Sequence, residues 1–131
     1  MSTKPILAEI ERGDESLKSA RLLAAERLNL DAMSRIYYAV LHYARAILLV
    51  EQIVPKSHHG AFLLFSQHVV KTGKADKRYS KVFSSLIRMR EEADYVTGAS
   101  FSSEDLVNAL AEAEEFREMA IRLISSDLSV E

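Results

Sequence analysis

Apolar residues along this chain recur at spacings of three and four, the interval that holds them on one side of an α-helix. A first segment, about 5–28, opens with Pro5, which suits a first helical turn. Ile6, Leu7 and Ile10 make a short face. Gly13-Asp14 then predicts a break or kink, which would set the first dozen residues apart as a short helix of their own. Leu17, Ala20, Ala24 and Leu28 resume the spacing, with Asn29 as a stop. A second segment, about 31–52, has Asp31 as its cap and Leu30, Met33, Tyr37, Leu41, Ala44 and Leu48 on one face, and Pro55 closes it. Ser57 can cap a third, about 58–71, with Phe62, Leu63, Phe65 and Val69 inward and Gly73 as its stop. Asp76 can cap a fourth that runs through Val82, Phe83, Leu86, Ile87 and Met89 to about Tyr95. After the loop 97–100, Ser102-Ser-Glu-Asp105 has the form of a capping box. It opens a fifth helix with Leu106, Ala109, Leu110, Ala113, Phe116, Ala120, Ile121 and Ile124 on one stripe, frayed over its last five residues. The alternation of a half-buried strand is absent, and no segment repeats at a fixed period. The expectation is an all-α chain: an up-and-down antiparallel bundle of four to five helices, one domain over residues 1–131.

Composition narrows what such a bundle can do. The chain has 131 residues, 48% hydrophobic and 27% charged, enough to bury a core in one domain. A net charge of −2 argues against holding nucleic acid by bulk positive charge, so DNA is not an expected partner. There is no cysteine, which excludes a disulfide framework and a thiolate metal site. The N-terminal stretch is charged and lacks a signal-type apolar region. The longest apolar run, 44–50, is interrupted by Arg45 and too short to span a bilayer. The expected setting is the cytoplasm, away from membranes, and no cofactor is implied.

The second segment contains Ser34-Arg-Ile-Tyr-Tyr-Ala-Val-Leu-His-Tyr-Ala-Arg45. Arg35, Tyr38, His42 and Arg45 fall at i, i+3, i+7 and i+10, one face beside the apolar one. Arg35 and His42 lie within about 20° of each other and about 10 Å apart along the axis. An arginine can hold a phosphodiester while a histidine transfers the proton, so the pair suits metal-free RNA cleavage. Packing gives a second reading. Tyr, His and Arg also line helix–helix and dimer interfaces, with apolar bodies buried and polar tips satisfied.

Elsewhere, Lys56-Ser-His-His-Gly60 places His58 and His59 about 100° apart on a helix start, poor geometry for one metal. His58 is better suited to a cap or a phosphate contact near free N–H groups. Arg88-Met-Arg-Glu-Glu-Ala-Asp-Tyr95 contains Arg90 and Asp94 as an i,i+4 pair. It is either a surface ion pair or, with Arg88 and Tyr95, a polar cluster facing the second helix. The lysine-rich stretch 71–81 is a solvated loop or a local basic patch. The fifth helix is acidic. No P-loop, Rossmann turn, HExxH or GxSxG is present.

The blocks at 34–49, Pro55-Lys-Ser-His-His-Gly60, His68-Val-Val-Lys-Thr-Gly-Lys74 and Arg88–Tyr95, in that order, resemble the HEPN domain in its small single-domain prokaryotic branch. The likeness covers about residues 15–125. It implies an up-and-down helical bundle, a homodimer, and a partner of the minimal nucleotidyltransferase type in a toxin–antitoxin pair. It also implies metal-independent endoribonuclease activity where an Arg-x(4–6)-His motif sits on a late helix at the dimer cleft. It further raises modification of a tyrosine by adenylylation, with no one of the five tyrosines singled out. This chain has no histidine after His68. Where the motif is expected it has Arg90, Asp94 and Tyr95. Two alternatives follow: His42 acts with Arg35, or with Arg88 or Arg90 from the fourth helix, on RNA; or the stripe, with Tyr38, Arg45 and His58, binds a nucleotide or joins subunits without catalysis.

Overall fold

The computed structural model describes residues 2–129, with five α-helices and no β-strand among them. They are α1 (Lys4–Ala25), α2 (Asn29–Val50), α3 (His58–Phe65), α4 (Arg78–Tyr95) and α5 (Ser103–Ser129). The all-α bundle expected from the spacing is the fold observed. The last two residues of the frayed end lie outside the described residues.

α2 forms the centre and packs against each of the other helices. Its burial explains why: Met33, Ile36, Tyr37, Ala39, Val40, Leu41, Tyr43, Ala44 and Leu48 are all essentially inaccessible. Such a helix is apolar nearly all round, and between Ala32 and Leu48 only the Arg35–Tyr38–His42–Arg45 strip stays partly open. α1 runs antiparallel to α2, since Glu9 meets His42 while the two helices join through the turn at 26–28. α4 is also antiparallel to α2: Ser34 meets Asp94, and Tyr37 meets both Arg90 and Phe83. α5 closes the bundle through an aromatic cluster of Phe65, Tyr79, Phe83 and Phe116.

Several sequence signals act as expected. Ser57 Oγ accepts from Gly60 N–H at 2.9 Å and caps α3. Asp76 Oδ1 accepts from Arg78 N–H at 2.8 Å. Ser102 and Asp105 exchange two bonds, 3.1 and 2.9 Å, completing the capping box before α5. The third segment stays regular only to Phe65 and continues as a π-helical turn, Ser66–Val70, with Lys71 N–H bonded to Ser66 O.

Three boundaries differ from expectation. α2 begins at Asn29, so Asp31 falls inside its first turn and does not cap it; the N-cap is Leu28, without a side-chain cap bond. The other two are on α1. α1 does not break at Gly13 but runs through it, because Gly13 is where α1 approaches α2. A Cβ there would stand 2.5 Å from Tyr43 Cε1, so the glycine serves packing and not a kink. α1 also ends at Ala25, earlier than Leu28. Arg27 adopts φ 61°, Leu28 N–H bonds Leu23 O, and Arg27 N–H bonds Ala24 O. This is a Schellman ending with arginine in the left-handed position, and it frees Asn29 to start α2. α2 ends the same way at Gln52, φ 60°, ahead of Pro55.

Candidate functional site

The expected stripe on α2 stands between α1 on one side and α3 and α4 on the other. On the α1 side, His42 Nδ1 lies 2.7 Å from Glu9 Oε2, and Arg45 Nε lies 3.8 Å from Glu9 Oε1. The His42 side chain is 15% exposed and Glu9 19%, so the pair is sheltered and its geometry is well defined. Glu9 sits one residue before Ile10 on the opening turns of α1, so the continuity of α1 through Gly13 is what brings it to His42.

With Glu9 accepting from Nδ1–H, the neutral ring leaves Nε2 unprotonated, a lone pair able to take a proton. The carboxylate also orients the ring, as a carboxylate does for the histidine of a hydrolytic triad. A groove of about 340 Å³ runs beside it, lined by Arg12, Glu15, Ser16, Ser19, Arg35 and His42. Arg35 Cζ lies 4.7 Å from the centre of the Tyr38 ring, a cation–π contact, and the same residue lines the groove.

On the other side, Tyr38 meets Tyr37 and His58 edge-on, at 5.1 and 5.8 Å between ring centres. His58 is the first residue of α3 and is exposed. Partial burial, followed by the charges of Arg90, Arg45 and His42, lowers its pKa below the usual histidine value. Arg90 is held from three directions. Its guanidinium lies 5.0 Å over the buried Tyr37 ring, 6.0 Å from the Tyr95 ring, and 3.5 Å from Asp94. Its side chain is 14% exposed. Burial pushes the Tyr37 hydroxyl up to about 12, so it stays protonated at neutral pH. Asp94 accepts a second bond from Ser34 Oγ at 2.5 Å and so ties the end of α4 to the start of α2.

The structure therefore brings together Arg35, Tyr38, His42, Arg45 and His58, with Arg90 and Asp94 on their flank. It does not bring Arg88 there. That side chain is exposed, approaches Ser85 at 3.4 Å, and lines a separate groove with Phe62, Ser80, Lys81, Ser84 and Ser85. Tyr95 reaches Arg90 but is 76% exposed. In the basic stretch 71–81, Lys74 pairs with Glu51 and Arg78 with Glu115, so part of that charge serves the fold.

The residues that sequence reasoning missed are Glu9, Arg12, Ser16 and Ser19. Their spacing of three, four and three mirrors that of the α2 stripe, and that was the signal available. The predicted break at Gly13 hid it by separating Glu9 from the rest. A different cluster joins α1, α2 and α5. Asp14 accepts from Tyr43 O–H at 2.6 Å and from Arg117 at 2.7 and 3.1 Å. Partial burial works to raise the Asp14 pKa, but these bonds and the charges of Arg117 and Arg21 outweigh it and hold the carboxyl below its usual value. Among the described residues no three His, Asp or Glu side chains gather as a metal-binding group, and no helix is long and apolar enough to cross a membrane.

A family model for the HEPN domain matches residues 7–124. The chain is 34% identical over 111 residues to a Methanocaldococcus jannaschii protein named "Putative toxin MJ0605", covering 85% of this chain and 82% of that one. It is 33% identical over 114 residues to a protein of Thermotoga maritima named "UPF0332 protein", covering 86% of each. A second M. jannaschii relative, "Putative toxin MJ0142", is 31% identical over 86 residues, 66% of this chain and 58% of its own. The match runs from the opening turns of α1 to near the end of α5, and so takes in both sides of the groove: the chain belongs to the HEPN domain family.

Proposed function

We propose that this protein is the toxin-like member of a toxin–antitoxin pair, acting on RNA in the cytoplasm as a homodimer alongside a nucleotidyltransferase-type partner. Family membership and the toxin names of two relatives support the toxin reading. The observation that carries the RNA reading is the Glu9–His42 pair facing a groove lined by Arg35.

The chemistry needs no metal. His42 Nε2 accepts the proton of a ribose 2′-hydroxyl, and the 2′-oxygen attacks the adjacent phosphorus. The bond to the 5′-oxygen of the next nucleotide breaks, leaving a 2′,3′-cyclic phosphate. That leaving oxygen takes a proton from the imidazolium, which returns His42 to its neutral form. Arg35 stabilises the charge that gathers on the phosphate oxygens. Glu9 keeps the ring in the tautomer that can act as base. Arg90 is less suited to clamp a phosphate, because its side chain is mostly buried against the Tyr37 ring and paired with Asp94.

The test compares wild type with His42→Ala. Growth inhibition on expression and cleavage of RNA by the purified protein are lost in the variant, while helicity and sedimentation stay the same. Equal cleavage by the two proteins rejects the catalytic role. The commitment of Arg90 favours a second reading, a dimeric binding module without nuclease activity. In that case wild type cuts no RNA, and His42→Ala changes only the monomer–dimer balance.

A further inference from the structure

Two polar stripes face each other along the seam between α1 and α2. Read along α1 they are Glu9, Arg12, Ser16 and Ser19. Read backwards along α2 they are Arg45, His42, Tyr38 and Arg35. Because the helices are antiparallel, Glu9 lies beside His42 and Arg45, and the groove further along is walled by Arg12, Ser16 and Ser19 on one side and by Arg35 on the other.

The arginines of this chain are used unequally. Arg21, Arg45, Arg78, Arg90 and Arg117 each stand within 4.0 Å of a carboxylate. Among the described residues Arg12, Arg27, Arg35, Arg88 and Arg122 do not, and of these Arg12 and Arg35 line this groove, together with Glu15. Two guanidiniums without carboxylate partners and two serine hydroxyls line about 340 Å³ of space, next to a histidine whose Nδ1 meets Glu9. Guanidinium N–H groups fork onto tetrahedral oxyanions, and serine hydroxyls complete the donor set.

We propose that this groove is a phosphate-binding site in which Arg12, from α1, clamps the phosphate opposite Arg35. The phosphate belongs either to a nucleotide or to the backbone of an RNA strand. The proposal rests on the reading that this face acts on RNA or nucleotide, and it adds the α1 wall and the ligand class. Glu15 opposes an anion here and sets a ceiling on affinity.

The experiment titrates the full-length protein with inorganic phosphate, adenosine monophosphate and hexauridylate. It follows arginine side-chain N–H resonances and binding heat. Phosphate and at least one of the other two ligands shift the Arg12 and Arg35 signals. Arg12→Gln weakens binding about tenfold, as expected for loss of a charge-assisted contact. Arg12→Lys falls between, and Glu15→Gln tightens binding. Stronger binding of the monophosphate assigns the site to nucleotides, and stronger binding of hexauridylate assigns it to RNA. Shifts confined to Arg88, or equal affinity in Arg12→Gln, overturn the proposal. The two readings separate cleanly. A wild type that shifts Arg12 and Arg35 but cuts no RNA keeps the groove and removes the nuclease. An Arg12→Gln protein that cuts RNA at the wild-type rate and binds phosphate equally well removes the groove and keeps the nuclease.

Discussion

Glu9 shows what one carboxylate does when it is sheltered beside an imidazole. Its oxygen 2.7 Å from His42 Nδ1 selects the tautomer with Nε2 bare, whereas a histidine in water favours the opposite one. Nitrogen-15 spectra of the ring should therefore report Nδ1–H in wild type at pH 8 and a swing toward Nε2–H in Glu9→Ala. Glu9→Gln keeps the wild-type signature, since an amide oxygen also accepts. An unchanged ring signal in Glu9→Ala would show that the carboxylate does not orient the histidine. Gly13 makes a second point at this scale. An exposed helical glycine changed to alanine usually gains stability. Here the new methyl would meet the fully buried Tyr43 ring, so Gly13→Ala should lose about 1–3 kcal/mol in urea unfolding. A gain would mean that the ring can retreat.

Among the elements, α2 carries most of the core and most of the candidate site, and its start depends on how α1 stops. That stop uses Arg27 at φ 61°, a conformation that L side chains other than Asn and Asp seldom adopt. Arg27→Gly relieves this and should raise stability by about 0.5–1 kcal/mol, read as a higher urea midpoint with an unchanged slope. A fall would assign the arginine a stabilising contact of its own. The boundary at Ala25 was hidden because a Schellman ending is ordinarily announced by glycine or asparagine, and Asn29 stood nearby as a plausible stop. Caps were legible for the opposite reason: Ser57, Asp76 and Ser102 satisfy N–H groups within three residues of themselves, so the chemistry lies inside the window that the sequence displays.

At the scale of the molecule, Asp14 ties α1 to both α2 and α5 through Tyr43 and Arg117. Its folded pKa lies below the unfolded value of 3.8. The linked stability is therefore complete above that value and disappears as pH falls through the lower folded pKa. Wild type should lose more stability between pH 6 and pH 2.5 than Asp14→Asn does, in matched urea titrations. Identical losses would show that the cluster does not couple the helices. The partly exposed pair keeps this effect modest.

The sequence by itself determined the all-helical class, a bundle of four to five helices, the caps at Ser57, Asp76 and Ser102, and the α2 stripe, because each depends on spacing within one helix or on contacts a few residues apart. The resemblance carried in four short blocks pointed to the family for the same reason. Tertiary structure alone decided that Gly13 is a packing point, that Arg90 is paired with a carboxylate while Arg35 and Arg12 are not, that Arg88 faces a different groove, and that Glu9 holds His42. Those facts rest on contacts across helix–helix seams, such as Glu9 to His42, 33 positions apart in sequence, and the approach of one helix to another is set by the shape of both faces at once.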